Sequence, residues 1–111
     1  MTDRADRVHY RIRYPRRARP ILVTEGAVAT VIDCSEFGLS YEAPVGAPVT
    51  VPGDPFHGVI RFLDGDEARV EGEVLRVIGR RRVIHLVGVS IPFGIILSEQ
   101  RYLKRRFAGW G

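Results

Sequence analysis

The sequence predicts a mainly β fold, an antiparallel barrel or sandwich followed by one helix. Two observations predict it. Between residues 20 and 91, short runs rich in β-branched and aromatic residues recur, separated by turn-forming pairs and Pro/Gly-rich stretches. After "IPFG" the period changes, and "IILSEQRYLKRRF" places Ile96, Leu103 and Phe107 on one helical face.

The elements follow in order. "ILV" and "AVATVI" read as strands flanking the turn pair "EG". "FGLSYE" and "PVTV" are the next two, divided by "APVGA", and "FHGVIRFL" follows "PGDP". "DGDE" contains Asp-Gly, a strong hairpin signal. In "ARVEGEVLRVI", Val70, Gly72 and Val74 fall on one face and Arg69, Glu71 and Glu73 on the other. "GRRR" is the next turn. "VIHLVGVSI" is mostly apolar and is expected to be covered on both faces. Tyr102 widens the apolar stripe of the helix, while Arg101, Lys104, Arg105 and Arg106 lie outside it, where they suit the helix dipole.

Size and composition narrow the function classes. At 111 residues and 45% hydrophobic, the chain can bury one small core. No run approaches the ~20 apolar residues of a membrane-spanning helix, the N-terminus does not read as a secretory signal, and a single cysteine, Cys34, permits no internal disulfide. A reducing cytoplasmic setting is expected. The net charge of +4 is unevenly spread. Residues 1 to 20 hold seven arginines against Asp3 and Asp6. Residues 21 to 94 are net acidic. Residues 95 to 111 hold four cations against Glu99. Basic ends around an acidic body suit an anionic partner such as a nucleotide, a nucleic acid or a membrane surface, and read equally as solvated tails.

Catalysis is not expected. His9, His57 and His85 have no metal-ligand spacing to one another or to Cys34, no phosphate loop or nucleophile elbow is present, and Cys34 has no neighbouring base. No metal or cofactor is implied. The informative stretch is "DCSEFG", a polar interruption between two strands. Asp33 can accept two hydrogen bonds from the ring N–H and exocyclic amine of a guanine. Ser35 can donate to a phosphate or cap a turn, and Gly38 permits close backbone approach. The same six residues also make an Asx/Ser turn with a glycine exit, which needs no ligand.

Upstream, Arg7 and Arg11 frame "RVHYR", an R-x-x-x-R stretch. Twenty-one residues separate it from Asp33, Ser35 and Gly38, which match [D/N]xSxxG. This ordered pair resembles the signature of the PilZ family. "IPFGIILSEQRYLKRRF" also resembles the proline-led, EQR-containing C-terminal helix of its small members, so the resemblance runs from about residue 6 to 107. It implies a six-stranded antiparallel β-barrel with a terminal helix, and a receptor for the bacterial second messenger cyclic di-GMP. Carried over, Arg7 and Arg11 grip phosphates and stack on guanine, Asp33 and Ser35 read guanine and the ligand backbone, and Gly38 shapes the turn. Guanidinium suits that role through forked bonds to phosphate and a flat cationic face for a purine. Arg13 and Arg17 frame a rival R-x-x-x-R, only 15 residues from Asp33, which is short for the family.

Two positions depart from the pattern. Asp6 stands where many members carry a third arginine, and Phe37 replaces a small residue before the motif glycine. The expected organisation is a flexible basic arm over residues 1–19 and a barrel with helix over 20–111. Residues 1 to 12 are expected to be mobile without ligand and to order beside Asp33 when it binds. The expected output is a relay to an unidentified protein partner controlling motility, adhesion or exopolysaccharide. The alternatives are a basic β-barrel binding single-stranded nucleic acid, and an adaptor acting only through protein contacts.

Overall fold

A computed structural model describes residues 10 to 110. Seven strands and one helix follow in order: β1 (Ile12–Arg13), β2 (Ile21–Thr24), β3 (Ala27–Cys34), β4 (Gly38–Glu42), β5 (Pro55–Arg61), β6 (Glu67–Ile78), β7 (Arg81–Val89) and α1 (Phe93–Arg106). All pairings are antiparallel, in the order β1-β3-β2-β5-β6-β7-β4, and β4 returns to pair with β3. Strands β2 to β7 thus close a six-stranded barrel, and closure leaves these strands without long unpaired edges. The short β1 lies beside the far end of β3, beyond the reach of β2, with Ile12 opposite Cys34 and Arg13 opposite Asp33.

Alternation along the strands fills the barrel. Leu22, Val31, Leu39, Ile60, Val70 and Ile84 point inward and are essentially inaccessible. The alternation expected in β6 is present, with Val70 and Val74 buried and Arg69 and Glu73 exposed. In β7 the expectation of two covered faces fails. Ile84 and Leu86 are buried, but His85 and Val87 are exposed, because only the inner face of a barrel strand is covered. "PVTV" forms no strand; residues 43 to 54 cross between β4 and β5 as a loop.

Helix α1 begins after Pro92 and buries Ile96 and Leu103 in the barrel core, as its spacing predicts. Phe107 packs against that core from just beyond the last turn. Glu99 shares the buried stripe, at i+3 from Ile96.

Part of the expected arm over residues 1–19 packs on the barrel. Ile12 and Tyr14 are buried, and Tyr10 packs edge-on to Phe93 with ring centroids 5.7 Å apart. Trp110 donates from its indole nitrogen to the Arg13 carbonyl at 2.8 Å. The expectation of a stretch without a strand partner therefore fails at Ile12. The free end of β3 offers ladder hydrogen bonds, and burying one Ile is worth roughly 1.5–3 kcal/mol. The expected mobility of residues 1 to 9 lies outside the described residues.

Candidate functional site

The "DCSEFG" stretch is a fixed corner. Asp33 and Cys34 end β3, just past a register shift between Val31 and Asp33. The turn closes through Ser35 N–H donating to the Gly38 carbonyl at 2.8 Å. The Leu86 N–H donates to the Phe37 carbonyl at 2.9 Å, and the Ile91 N–H donates to the Glu36 carbonyl at 3.0 Å. The corner is therefore held to β7 and to the segment that leads from it towards the helix.

Asp33 is the centre of the cluster. Its carboxylate is nearly inaccessible, yet it accepts from three side chains. Arg11 Nη1 lies 2.6 Å from Oδ1, Ser40 Oγ donates to Oδ1 at 2.8 Å, and Arg81 Nη2 lies 3.3 Å from Oδ2. Both guanidiniums are close to half exposed, at 43% and 45%, so the carboxylate is the buried floor and the cations are the accessible rim. Two guanidiniums thus stand over one buried carboxylate, and Glu36 lines the concavity beside them, so the cations are local rather than part of a uniformly positive surface.

Gly38 makes room for this arrangement. A Cβ built there would lie 3.1 Å from Ser35 Oγ and 3.2 Å from Arg11 Nη2, so Ser35 and Arg11 occupy the space above the glycine. An open concavity continues from this point, lined by Arg11, Ser35, Phe37, Gly38, Leu75 and His85 among others. Phe37 and Leu75 are each half exposed and supply apolar surface beside the cations. That combination suits a flat, aromatic, anionic ligand.

Of the residues the sequence singled out, Arg11, Asp33, Ser35 and Gly38 come together; Arg7 lies outside the described residues. The rival arginines are placed differently. The Arg13 backbone pairs with Asp33, but Arg17 sits with its guanidinium 4.9 Å from the centre of the Phe107 ring. Two partners of Asp33 escape sequence reading. Ser40 lies within the strand "FGLSYE", where nothing local singles it out. Arg81 sits in "GRRR", which reads as a turn, and is 48 residues from Asp33. Only the β3–β4–β7 neighbourhood created by closure brings it there.

A second polar cluster lies behind the first. Glu99, fully buried, accepts from Tyr14 Oη at 2.7 Å, from the Leu63 N–H at 3.1 Å and from the Asp64 N–H at 3.0 Å. Burial raises the Glu99 pKa against the opposing pull of these donors. Burial also pushes the Cys34 thiol up to about 12, so it stays protonated at neutral pH, and this agrees with its lack of a neighbouring base. Tyr14 Oη lies 3.9 Å from Cys34 Sγ, so the two clusters adjoin through residues 11–14 and 33–34. Among the described residues, no group of three or more His, Cys, Asp or Glu is placed to hold a metal ion, and no helix is long and apolar enough to cross a membrane.

No curated protein matches this chain. The family model for the PilZ domain does, over residues 5–109 of the 111. The closed barrel, the corner at Asp33 and the terminal helix all lie within that span, and the chain belongs to the PilZ domain family.

Proposed function

We propose that this chain is a receptor for cyclic di-GMP that relays the messenger's level to a partner protein. The PilZ family is a ligand-binding, non-catalytic family known to bind cyclic di-GMP. The observation that carries the reading to this chain is the placement of Arg11 on Asp33, above Ser35 and Gly38. These are the four described residues of the two half-motifs, and Arg7 would complete the set.

The geometry supports an exchange of partners. Before ligand binds, the Asp33 carboxylate is filled by two guanidiniums and a hydroxyl. A guanine presents two parallel donors, N1–H and the exocyclic N2–H, which match the two oxygens of a carboxylate. Taking that position displaces Arg11, whose guanidinium is then free to fork onto a phosphate or lie over the purine. The buried charge keeps partners throughout, so no unpaired carboxylate is created on the way. Phe37 and Leu75 offer the apolar surface against which a base can rest.

Calorimetric titration with cyclic di-GMP, with GMP and GTP as controls, tests the reading. Saturable binding of the cyclic dinucleotide in the micromolar range is expected, with neither control competing. No saturation at tens of micromolar overturns it.

A further inference from the structure

The register of the barrel sets one ionisable side chain beside the motif glycine. His85 on β7 is the register partner of Gly38 on β4. Partners in an antiparallel ladder point to the same face, with Cβ positions about 4.5–5.5 Å apart. Gly38 has no side chain, and Ser35 Oγ and Arg11 Nη2 stand in its place, 3.1 and 3.2 Å from where a Cβ would lie. His85 is exposed and lines the same concavity as these two groups. The next residue, Leu86, donates its N–H to the Phe37 carbonyl at 2.9 Å, so the strand is pinned to the corner at this point.

Imidazole is the side chain whose ordinary titration, at about 6.5, falls in the physiological range. The charged groups around His85 come from every element beside it. Glu73 is its register partner on β6 and is exposed. Glu36, in the turn between β3 and β4, and Arg11, just before β1, line the same concavity. Arg81 lies four residues away on the same face of β7 and is held by Asp33. Strand β4 adds only Gly38 and Ser40 on this face. The surroundings thus hold two carboxylates and two guanidiniums. A ligand phosphate entering among them tips the balance towards the protonated ring.

Resting on the cyclic di-GMP reading above, we propose that His85 is a proton-dependent ligand residue: its imidazole takes a proton from solvent and donates to the phosphodiester that Arg11 holds over Gly38, so affinity for the cyclic dinucleotide rises as pH falls. The register carries the argument. A phosphate gripped by Arg11 above the glycine lies within reach of the side chain opposite that glycine. An imidazolium bond to phosphate is charge-assisted, whereas a neutral ring offers an uncharged donor or, in its other tautomer, a lone pair facing an anion. Phosphodiesters and guanine do not titrate between about pH 6 and pH 8, so a proton taken up on binding in that range belongs to the protein. Asp33 and Arg11 act at every pH in the range, and His85 makes the response graded.

Calorimetric titration of the full chain with cyclic di-GMP at about pH 8 and about pH 6 tests it. The wild type is expected to bind several-fold more tightly at the lower pH, within the limit of about tenfold per pH unit that one proton sets. His85→Gln stays neutral and should bind equally at both, at the wild type's weaker level. His85→Arg keeps its charge and should also be flat, at the tighter level. His9 lies outside the described residues, and His9→Gln should keep the wild-type slope. An NMR titration of the ring protons is expected to move the His85 midpoint to higher pH at ligand saturation and to leave His57, on β5, in place. Melting curves confirm that each variant is folded. Binding without a pH slope in the wild type, or a slope that survives in His85→Gln, overturns the role of His85 and leaves the cyclic di-GMP reading standing. A wild type that does not bind at either pH overturns that reading and this proposal with it.

Discussion

At the scale of residues, the cluster around Asp33 separates binding from folding. Arg11 is nearly half exposed, and ion pairs at such sites are worth about 1 kcal/mol or less. Arg11→Ala should therefore leave the melting temperature nearly unchanged while weakening cyclic di-GMP at least tenfold, about 1.4 kcal/mol. Asp33→Ala should cost both. It removes the proposed guanine acceptor and strips Ser40, buried at 1% exposure, of its own acceptor, a loss of roughly 1–3 kcal/mol. Titration and thermal melting of the two variants in parallel check this, and wild-type affinity in both would sink the assigned site. Arg81 belongs in the same series. If it shares the anion-attracting rim, Arg81→Ala weakens binding several-fold and the deficit shrinks with added salt, because its charge is partly screened. Gly38→Ala probes the space rather than the charge. Its Cβ meets the mobile ends of Ser35 and Arg11, so the fold should survive while affinity falls; unchanged affinity would show that their placement above the glycine is not required.

At the scale of elements, the helix is docked by a buried carboxylate as well as by its apolar stripe. Ile96 and Leu103 fill the core, and Glu99 fixes the register through Tyr14 and the β5–β6 turn. The folded pKa of Glu99 is raised, chiefly by burial, so the folded chain holds this proton more tightly than the unfolded chain. The contribution to stability is then full below the ordinary glutamate pKa and is lost as pH rises through the folded value. Tyr14→Phe deletes a donor that favours the ionised form. It should raise the Glu99 pKa further, move the window of loss to higher pH, and cost about 1–3 kcal/mol at neutral pH. A carbon-13 NMR titration of the Glu99 carboxyl in both proteins measures the shift, and an equal or lower value in Tyr14→Phe would refute the account. The β6–β7 pair is constrained differently. Gly72 lies at a register shift, and a Cβ there would run into the backbone carbonyl of His85, which cannot swing aside as a side chain can. Gly72→Ala should destabilise by roughly 1–3 kcal/mol or more, read as a lowered melting temperature.

At the scale of the whole molecule, the N-terminal segment joins site and core. Arg11 reaches Asp33, Ile12 is buried, and Tyr14 holds Glu99, all within four residues. Truncation should therefore act in two steps. Removing residues 1 to 11 takes away the motif arginines but leaves Ile12 and Tyr14, so a folded barrel without cyclic di-GMP affinity is expected. Removing residues 1 to 14 also empties the positions of Ile12 and Tyr14, and large core truncations cost about 2–5 kcal/mol each. Denaturant melts of the two deletions decide it: equal stability would mean that β1 is not part of the core.

Much of this was legible from residue order alone. The strands read at 21–23, 27–32 and 56–63, the turn at Glu25–Gly26 and the helix read at 95–107 overlap the observed elements within two residues at each end, because local periodicity and turn chemistry depend on near neighbours in the chain. Spacing chose Arg7 and Arg11 over Arg13 and Arg17 as the ligand-binding pair; in the structure Arg11 contacts Asp33 and Arg17 lies over Phe107. Closure decided the rest. Arg81 and Ser40 meet Asp33 because β4 lies between β3 and β7, an adjacency no local pattern encodes. Glu99 reads from the sequence as one of the helix's charged residues, yet it is buried because its hydrogen-bond donors come from Tyr14 and the 63–64 turn, far away along the chain. The two-residue strand at Ile12 is too short to signal itself and exists because the end of β3 had no other neighbour on that side. Local propensity determines which segments are strands and helix, while the site's floor and the docking of residues 10–14 and of the C-terminal helix depend on contacts that exist only once the barrel has closed.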